Sequence, residues 1–233
     1  MKVTRILVAS LLCVVVGGAA YAQTAPGLCL SWNSCPVQVP DQLFVGPQVY
    51  KLLVIGKGLA GSYNGHRSRI HIDPGPGNMI PDAWDFDDAG CQASLVAYGF
   101  NKFSTCPAFQ GAAALSITKF ITDPGKLGAI CDVSNAFNSF PSDGSKTYAM
   151  ATISFDHSGS YAGGVNPDPS LYTCGHAEVG SFFDVFAELL LSDGSSQQAG
   201  LAPNCQRATW QGGPIPPVAA QPSTWGRVKG LYR

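Results

Sequence analysis

Charge is what this sequence has least of. Only 12% of its 233 residues are Asp, Glu, Lys or Arg, about half the usual share for a soluble domain. The formal net charge is −1, which argues against the basic face of a nucleic-acid binder. Low charge joined to 45% hydrophobic residues also argues against a disordered chain. No internal apolar run is long enough to span a bilayer as a helix. Catalytic signatures are missing as well. Glu178 and Glu188 are the two glutamates among 15 acidic residues, and nothing promotes the paired carboxylates of a glycosidase. Gly159-Ser160-Tyr161-Ala162-Gly163 misplaces the serine of a G-x-S-x-G elbow. No G-x-G-x-x-G opens a helix, and no strand–helix alternation announces a Rossmann or TIM fold. No C-x-x-C supports a zinc ribbon or a thioredoxin-like site, and no internal repeat is present.

What is present points outward from the cell. Lys2 and Arg5 precede an apolar core over residues 6–16, and Ala20-Tyr21-Ala22 forms an A-x-A cleavage site. Residues 1–22 therefore read as a signal peptide. Leu12 stands before Cys13 where lipidation requires a small residue, so a lipoprotein anchor is not expected. In an oxidising compartment the cysteines of the mature chain become disulfide candidates: Cys29, Cys35, Cys91, Cys106, Cys174 and Cys205, with Cys131 left over inside an alternating stretch as an unpaired core thiol. Local spacing predicts Cys29 with Cys35, Cys91 with Cys106 and Cys174 with Cys205, one of fifteen connectivities open to six cysteines.

The periodicity is that of strands. Residues 49–55 are β-rich, and Arg69-Ile70-His71-Ile72-Asp73 puts both isoleucines on one face. Leu115, Ile117, Lys119 and Ile121 alternate with Ser116, Thr118 and Phe120; Ala149, Ala151, Ile153 and Phe155 alternate with Met150, Thr152 and Ser154. Turn clusters separate them at residues 73–78, 123–125, 142–145 and 166–169. Residues 181–191 fit a capped helix or a strand, and their all-β surroundings favour the strand. The expected organisation is a signal peptide (1–22), an N-terminal extension closed by a Cys29–Cys35 loop (23–46), one β-sandwich of jelly-roll or Ig-like type with disulfide-stapled loops (47–211), a Gly/Pro-rich linker (212–222) and a basic tail (223–233).

Three stretches carry a resemblance: Val49-Tyr50-Lys51-Leu52-Leu53-Val54-Ile55-Gly56, Tyr148-Ala149-Met150-Ala151-Thr152-Ile153-Ser154-Phe155, and Phe186-Ala187-Glu188-Leu189-Leu190-Leu191-Ser192-Asp193-Gly194. A strand ending in Ile-x-Phe followed by a strand running into an Asp-Gly turn resembles the cohesin-like, carbohydrate-binding-module-like sandwiches of bacterial extracellular proteins. The resemblance implies a jelly-roll-like fold that binds a protein or glycan without chemistry. The cysteines, the Pro74–Gly77 loop and the segment from Pro81 to Asp88 depart from that pattern, so a dockerin-type partner is not carried over.

Candidate sites follow from clustered residue types. Asp82, Asp85, Asp87 and Asp88 form an acidic loop that could hold Ca²⁺, although not with EF-hand spacing. A solvated loop with Trp84 and Phe86 turned inward is the plainer reading. His66, His71 and Asp73 would be the nucleus of a metal-dependent hydrolase. Trp84, Tyr98, Phe100, Phe103, Tyr161 and Tyr172 are candidates for a glycan-stacking strip. In the tail, Trp225, Val228, Leu231 and Tyr232 share one helical face beside Arg227, Lys229 and Arg233. A sorting or attachment system could read such a tail. The sequence thus describes a secreted, non-catalytic binding or surface-associated module of a bacterium. Its partner would be an extracellular protein or glycan. The alternatives are a structural component of a cell-surface assembly and a metal-dependent hydrolase.

Overall fold

A computed structural model of the protein describes residues 26–111, 115–160, 174, 181–202, 205 and 207–213. Its strands are β1 (Gly27–Trp32), β2 (Asp41–Gln42), β3 (Val49–Lys57), β4 (Gly61–Asp73), β5 (Val96–Gly99), β6 (Leu115–Thr122), β7 (Ala129–Ser142), β8 (Tyr148–Asp156), β9 (Ser181–Leu191), β10 (Ser196–Ala199) and β11 (Ala208–Trp210). One sheet runs β1-β3-β8-β5; the other, larger sheet runs β2-β11-β9-β4-β7-β6, with β10 also paired to β9. The pairing is antiparallel except between β2 and β11. This is the expected all-β sandwich, and residues 181–191 are a strand in it.

Alternation decides which side chains enter the core. Ile70 and Ile72 of β4, Cys131 and Val133 of β7, and Phe183, Val185, Ala187 and Leu189 of β9 point inward against Leu52, Val54, Met150 and Ile153 of the smaller sheet. At one end three tryptophans meet. Trp210 lies 5.0 Å from Trp84 and 5.6 Å from Trp32 between ring centroids. The Trp32 indole N–H donates to the Thr209 carbonyl at 2.7 Å, which keeps that buried donor satisfied. At the bulge in β4, a Cβ on Gly65 would lie 2.6 Å from the Asn135 carbonyl, so only glycine lets the two strands approach there.

The smaller sheet is buried on both faces at β1 and over the second half of β3. Leu52, Leu53, Val54 and Ile55 of β3 are all buried, because Cys29, Cys35, Leu53, Ile55, Cys106, Ala149 and Ala202 form a second apolar cluster on its outer side. A strand sealed on both faces reads as a continuous apolar run rather than an alternation. The cover is held down covalently by Cys29–Cys205 and Cys35–Cys106, and a third bridge joins Cys91 to Cys174.

The disulfide partners correct the local pairing expected from the sequence. All six candidate cysteines are oxidised, but none bonds to its expected partner. Cys29 sits in extended β1, whose rise of about 3.3 Å per residue carries the chain away before Cys35 is reached; bridged Cα atoms must lie within about 7 Å. The bridges therefore join segments 71 to 176 residues apart. The domain boundary also shifts. β1 pairs with β3 from Gly27↔Lys57 to Trp32↔Leu52, so residues 27–32 belong to the sandwich and not to an extension. Cys131 is a free, buried thiol. The signal peptide, the tail and most of the linker lie outside the described residues.

Non-reducing peptide mapping of the native protein is expected to recover Cys29–Cys205, Cys35–Cys106 and Cys91–Cys174. Opening one of these long-range bridges by a paired Cys→Ala replacement should cost about 2–5 kcal/mol in urea unfolding. Recovery of a Cys29–Cys35 peptide would contradict this arrangement.

Candidate functional site

The acidic loop is built as a buttress. A 3-10 turn at Asp82–Trp84 follows the Pro-Gly loop, and its Trp84 and Phe86 are buried, as the plainer reading requires. Trp84 packs on Phe155 at 5.1 Å and Phe183 at 5.4 Å. The carboxylates then meet the end of β6 and the turn after it. Lys126 Nζ binds Asp82 at 2.6 Å and Asp85 at 3.1 Å. The Thr122 hydroxyl donates to Asp85 at 2.9 Å, and the Thr122 backbone N–H donates to Asp87 at 3.0 Å. Asp87 also accepts from the Asp88 N–H at 2.7 Å. Hydrogen bonding to Asp82 and then Asp85 raises the pKa of Lys126.

This arrangement places the Ca²⁺ candidates Asp82, Asp85, Asp87 and Asp88 beside Lys126 and Thr122. A lysine ammonium is shared by Asp82 and Asp85, Asp85 also accepts from the Thr122 hydroxyl, and Asp87 accepts from the backbone N–H groups of Thr122 and Asp88. Among the described residues, no three His, Cys, Asp or Glu side chains are grouped to hold a metal. Lys126→Met is expected to lower stability by about 1 kcal/mol in urea unfolding, because Asp82 and Asp85 lose their shared counter-charge. Saturating Ca²⁺ should leave the melting temperature of the wild-type protein unchanged.

The histidines do not converge either. His66 faces the core on β4, where Phe109 lies 5.8 Å away. His71 faces outward on the same strand, 5.8 Å from Phe186. Asp73 is spent on the Gly75 N–H at 2.6 Å. Inward and outward positions of one strand cannot share a metal, so the hydrolase centre is not formed. A separate histidine, His157, is walled by Trp84 at 4.7 Å, Trp210 at 5.2 Å and Phe86 at 5.3 Å. Its Nδ1 lies 3.5 Å from the Ser160 hydroxyl, which accepts from Gln92 Nε2 at 2.6 Å.

Burial pushes the pKa of His66 down to about 4, with the Met150 backbone opposing, and that of His157 down to about 3, with the Asp156 charge opposing. In the unfolded chain both would titrate near 6.5. Between those values the unfolded state binds more protons than the folded one. The associated stability is therefore complete above pH 6.5 and drains away as the pH falls toward 4 and then 3. Urea unfolding from pH 7.5 to 4.5 should show stability falling with acid. His157→Phe should flatten part of that slope, and a variant with the wild-type slope would contradict the assignment.

The described aromatic candidates do not form a strip. Trp84 is fully buried, Tyr98 and Phe100 pack partly buried on the main core, and Phe103 packs on the second cluster. Tyr98 accepts the Cys131 S–H at 3.7 Å; burial raises the pKa of the Tyr98 phenol and pushes that of the Cys131 thiol up to about 12. Tyr161 and Tyr172 lie outside the described residues.

The outer face of the larger sheet is where exposed side chains gather. Arg69 makes a bidentate contact to Asp132 across the β4–β7 pair, at 2.7 and 2.8 Å, and Arg67 reaches the same carboxylate at 2.8 Å. The Arg69 hydrogen bond leads in holding the Asp132 carboxyl below the usual range. Lys119 of β6 stands opposite Asp132 on its other side. Aliphatic and aromatic groups flank this charged row. Leu115 and Ile117 of β6 are 68% and 66% exposed, and Phe186 and Leu190 of β9 are 42% and 41% exposed. The alternation in β6 thus turns Phe120 to the core and two large aliphatics to solvent. Sequence reasoning saw the alternation but had no signal for which side was wet. For β4 a signal was present: Arg67, Arg69 and His71 alternate with Ser68, Ile70 and Ile72, and mark the outer face directly.

No protein-family model matches the chain, and a sequence comparison with curated proteins returns no match. Among solved structures, it is similar to a type II cohesin domain from the cellulosome of Acetivibrio cellulolyticus, with 10% identity and a TM-score of 0.43 over 80% of this chain and 95% of that one. It is also similar to the second type II cohesin module of the adaptor scaffoldin of that organism, with 9% identity and a TM-score of 0.44 over 81% and 98% of the two chains. A protein that catalyses macrocyclization in alchivemycin A biosynthesis aligns with a TM-score of 0.30 at 12% identity, over 83% of this chain and 92% of that one. The cohesin-like resemblance is a weak one, and it is one of fold.

Proposed function

We propose that this protein is a non-catalytic binding module of an exported, oxidised space, and that it recognises a protein partner through the outer face of its larger sheet. One observation carries the reading: the Arg67–Asp132–Arg69 row, flanked by exposed Leu115, Ile117, Phe186 and Leu190 on neighbouring strands. A regular, flat, partly apolar surface with a charged centre offers shape for burial and charge for orientation. Glycan recognition would call for an exposed aromatic strip, and the described candidates face the interior instead. The export reading is supported by the A-x-A site after an apolar segment and by three disulfides. Recognition of the basic tail by a sorting or attachment system belongs to the same proposal.

Immobilised mature chain (residues 23–233) is expected to retain a protein from the secreted and surface fractions of its own bacterium. Phe186→Asp with Leu190→Asp should weaken that interaction by about 30-fold or more, near 2 kcal/mol, with an unchanged melting temperature. A glycan array should stay silent. Retention that is indifferent to the double substitution, or a glycan signal, would overturn the reading.

A further inference from the structure

Among the described residues β6 ends the larger sheet, and its free side carries an orderly set of backbone groups to which no described strand pairs. It is an eight-residue strand without proline or bulge, paired to β7 in unbroken register from Leu115↔Ala136 to Thr122↔Ala129. The Asp123 N–H turns toward β7, donating to the Gly128 carbonyl at 2.8 Å, while the Thr122 N–H turns away and donates to Asp87. Antiparallel alternation then fixes the other residues. Leu115, Ile117, Lys119 and Ile121 bond to β7, and the N–H and C=O groups of Ser116, Thr118 and Phe120 point to the open edge. Asp87 closes the Thr122 end of that edge; among the described residues the rest stays open. Natural proteins usually blunt such an edge.

We infer that two copies of this chain pair edge to edge through antiparallel β6 strands, with Thr118 on the two-fold axis. The inference goes beyond the partner-binding reading and does not depend on it. The strand is self-complementary in this register. Thr118 meets Thr118 of the second copy, and Ser116 meets Phe120 on either side, so the groups aimed at the edge are those that exchange hydrogen bonds. On the outer face Leu115 comes opposite Ile121, and Ile117 opposite Lys119. Threonine pairs and apolar pairs in such positions are favourable. Sliding the axis by one residue to Lys119 would set the two lysines directly opposite, with Cα atoms about 4.5 Å apart, and like charges there repel. Lys119 therefore selects against that slip. Without Lys2 and Arg5 of the expected signal peptide the chain keeps 12 basic against 15 acidic residues, a net charge of −3, so general repulsion between copies is small. The contact is isologous and closes on itself, giving a discrete dimer rather than a fibre.

Sedimentation velocity on the full mature chain is expected to show a concentration-dependent dimer. Thr118→Pro removes an N–H that faces the open edge and takes no bond from β7. It should raise the dimer dissociation constant by about tenfold or more while the circular dichroism and melting temperature report an intact fold. Thr118→Cys places two thiols across the axis with Cα atoms about 5.5 Å apart, within disulfide range, and should give a covalent dimer on mild oxidation; Ser116→Cys should not. A wild-type chain that stays monomeric up to its solubility limit overturns the inference. So does a dimer indifferent to Thr118→Pro, or one that Ser116→Cys cross-links as readily as Thr118→Cys.

Discussion

Trp210 comes from the last described strand, Trp84 from the turn between β4 and β5, and Trp32 from the first strand, yet the Trp210 ring packs within 5.6 Å of both others. Phe183 of β9 joins them, 5.3 Å from Trp32 and 5.4 Å from Trp84. This aromatic cluster ties the beginning, middle and end of the chain into one end of the sandwich. Each ring removes a large apolar area from water, and edge-to-face contacts add about 0.5–1.5 kcal/mol per pair. It also sets the position of the acidic loop. With Trp84 pinned inside, Asp82, Asp85 and Asp87 are carried to the end of β6, where Lys126 and Thr122 receive them. The same pinned ring walls in His157, whose neutral imidazole makes the cluster sensitive to acid.

The disulfides do a different job at the other sheet. Cys29–Cys205 and Cys35–Cys106 lie in the apolar layer over the outer side of the smaller sheet, and not in the core between the sheets. A thin layer of loops buries little area per residue and would open easily on its own. Closing loops of 176 and 71 residues restricts the unfolded chain and holds that layer in place.

Strand identity was largely legible in the sequence because alternation and turn residues act locally. Ile70 and Ile72 face the core as the period of two requires, and Ser181–Leu191 is a strand although its Phe182, Val185 and Leu189 also fit a helix. The sequence failed where the answer depended on distant contacts. Cys29 finds Cys205 only because β1 and the segment after Gly200 lie side by side, with the Leu28 N–H donating to the Gly200 carbonyl at 2.8 Å. The four aspartates looked like a cation site because Lys126, some forty positions later in the chain, was not visible beside them. The wet side of β6 was equally hidden: Leu115 and Ile117 have the composition of a core row, and Phe120 alone takes that role.

These facts together assign the two sheets different fates. The smaller sheet is covered on its outer side over β1 and the Leu53–Ile55 part of β3 by its disulfide-held layer, which leaves less of that face to offer. The larger sheet has one face on the core and one in water, the usual condition of an antiparallel sheet, and its wet face exposes Leu115, Ile117, Phe186 and Leu190. Charge does not blur this surface, because Asp132 is matched by Arg67 and Arg69 in fixed geometry. A bidentate arginine is a poor anchor for a second carboxylate while its own is in place, so the row acts chiefly to orient whatever covers the flanking aliphatics. The face and the β6 edge are also continuous: Leu115, Ile117 and Lys119 belong to both. Pairing two copies at that edge would extend one face into the other without burying Phe186 or Leu190, which sit on β9, beyond β7 and β4. A dimer built in this way would keep the far part of each face free and present two copies of it on one continuous sheet, so that a partner with repeated sites would bind with the gain that linked sites provide.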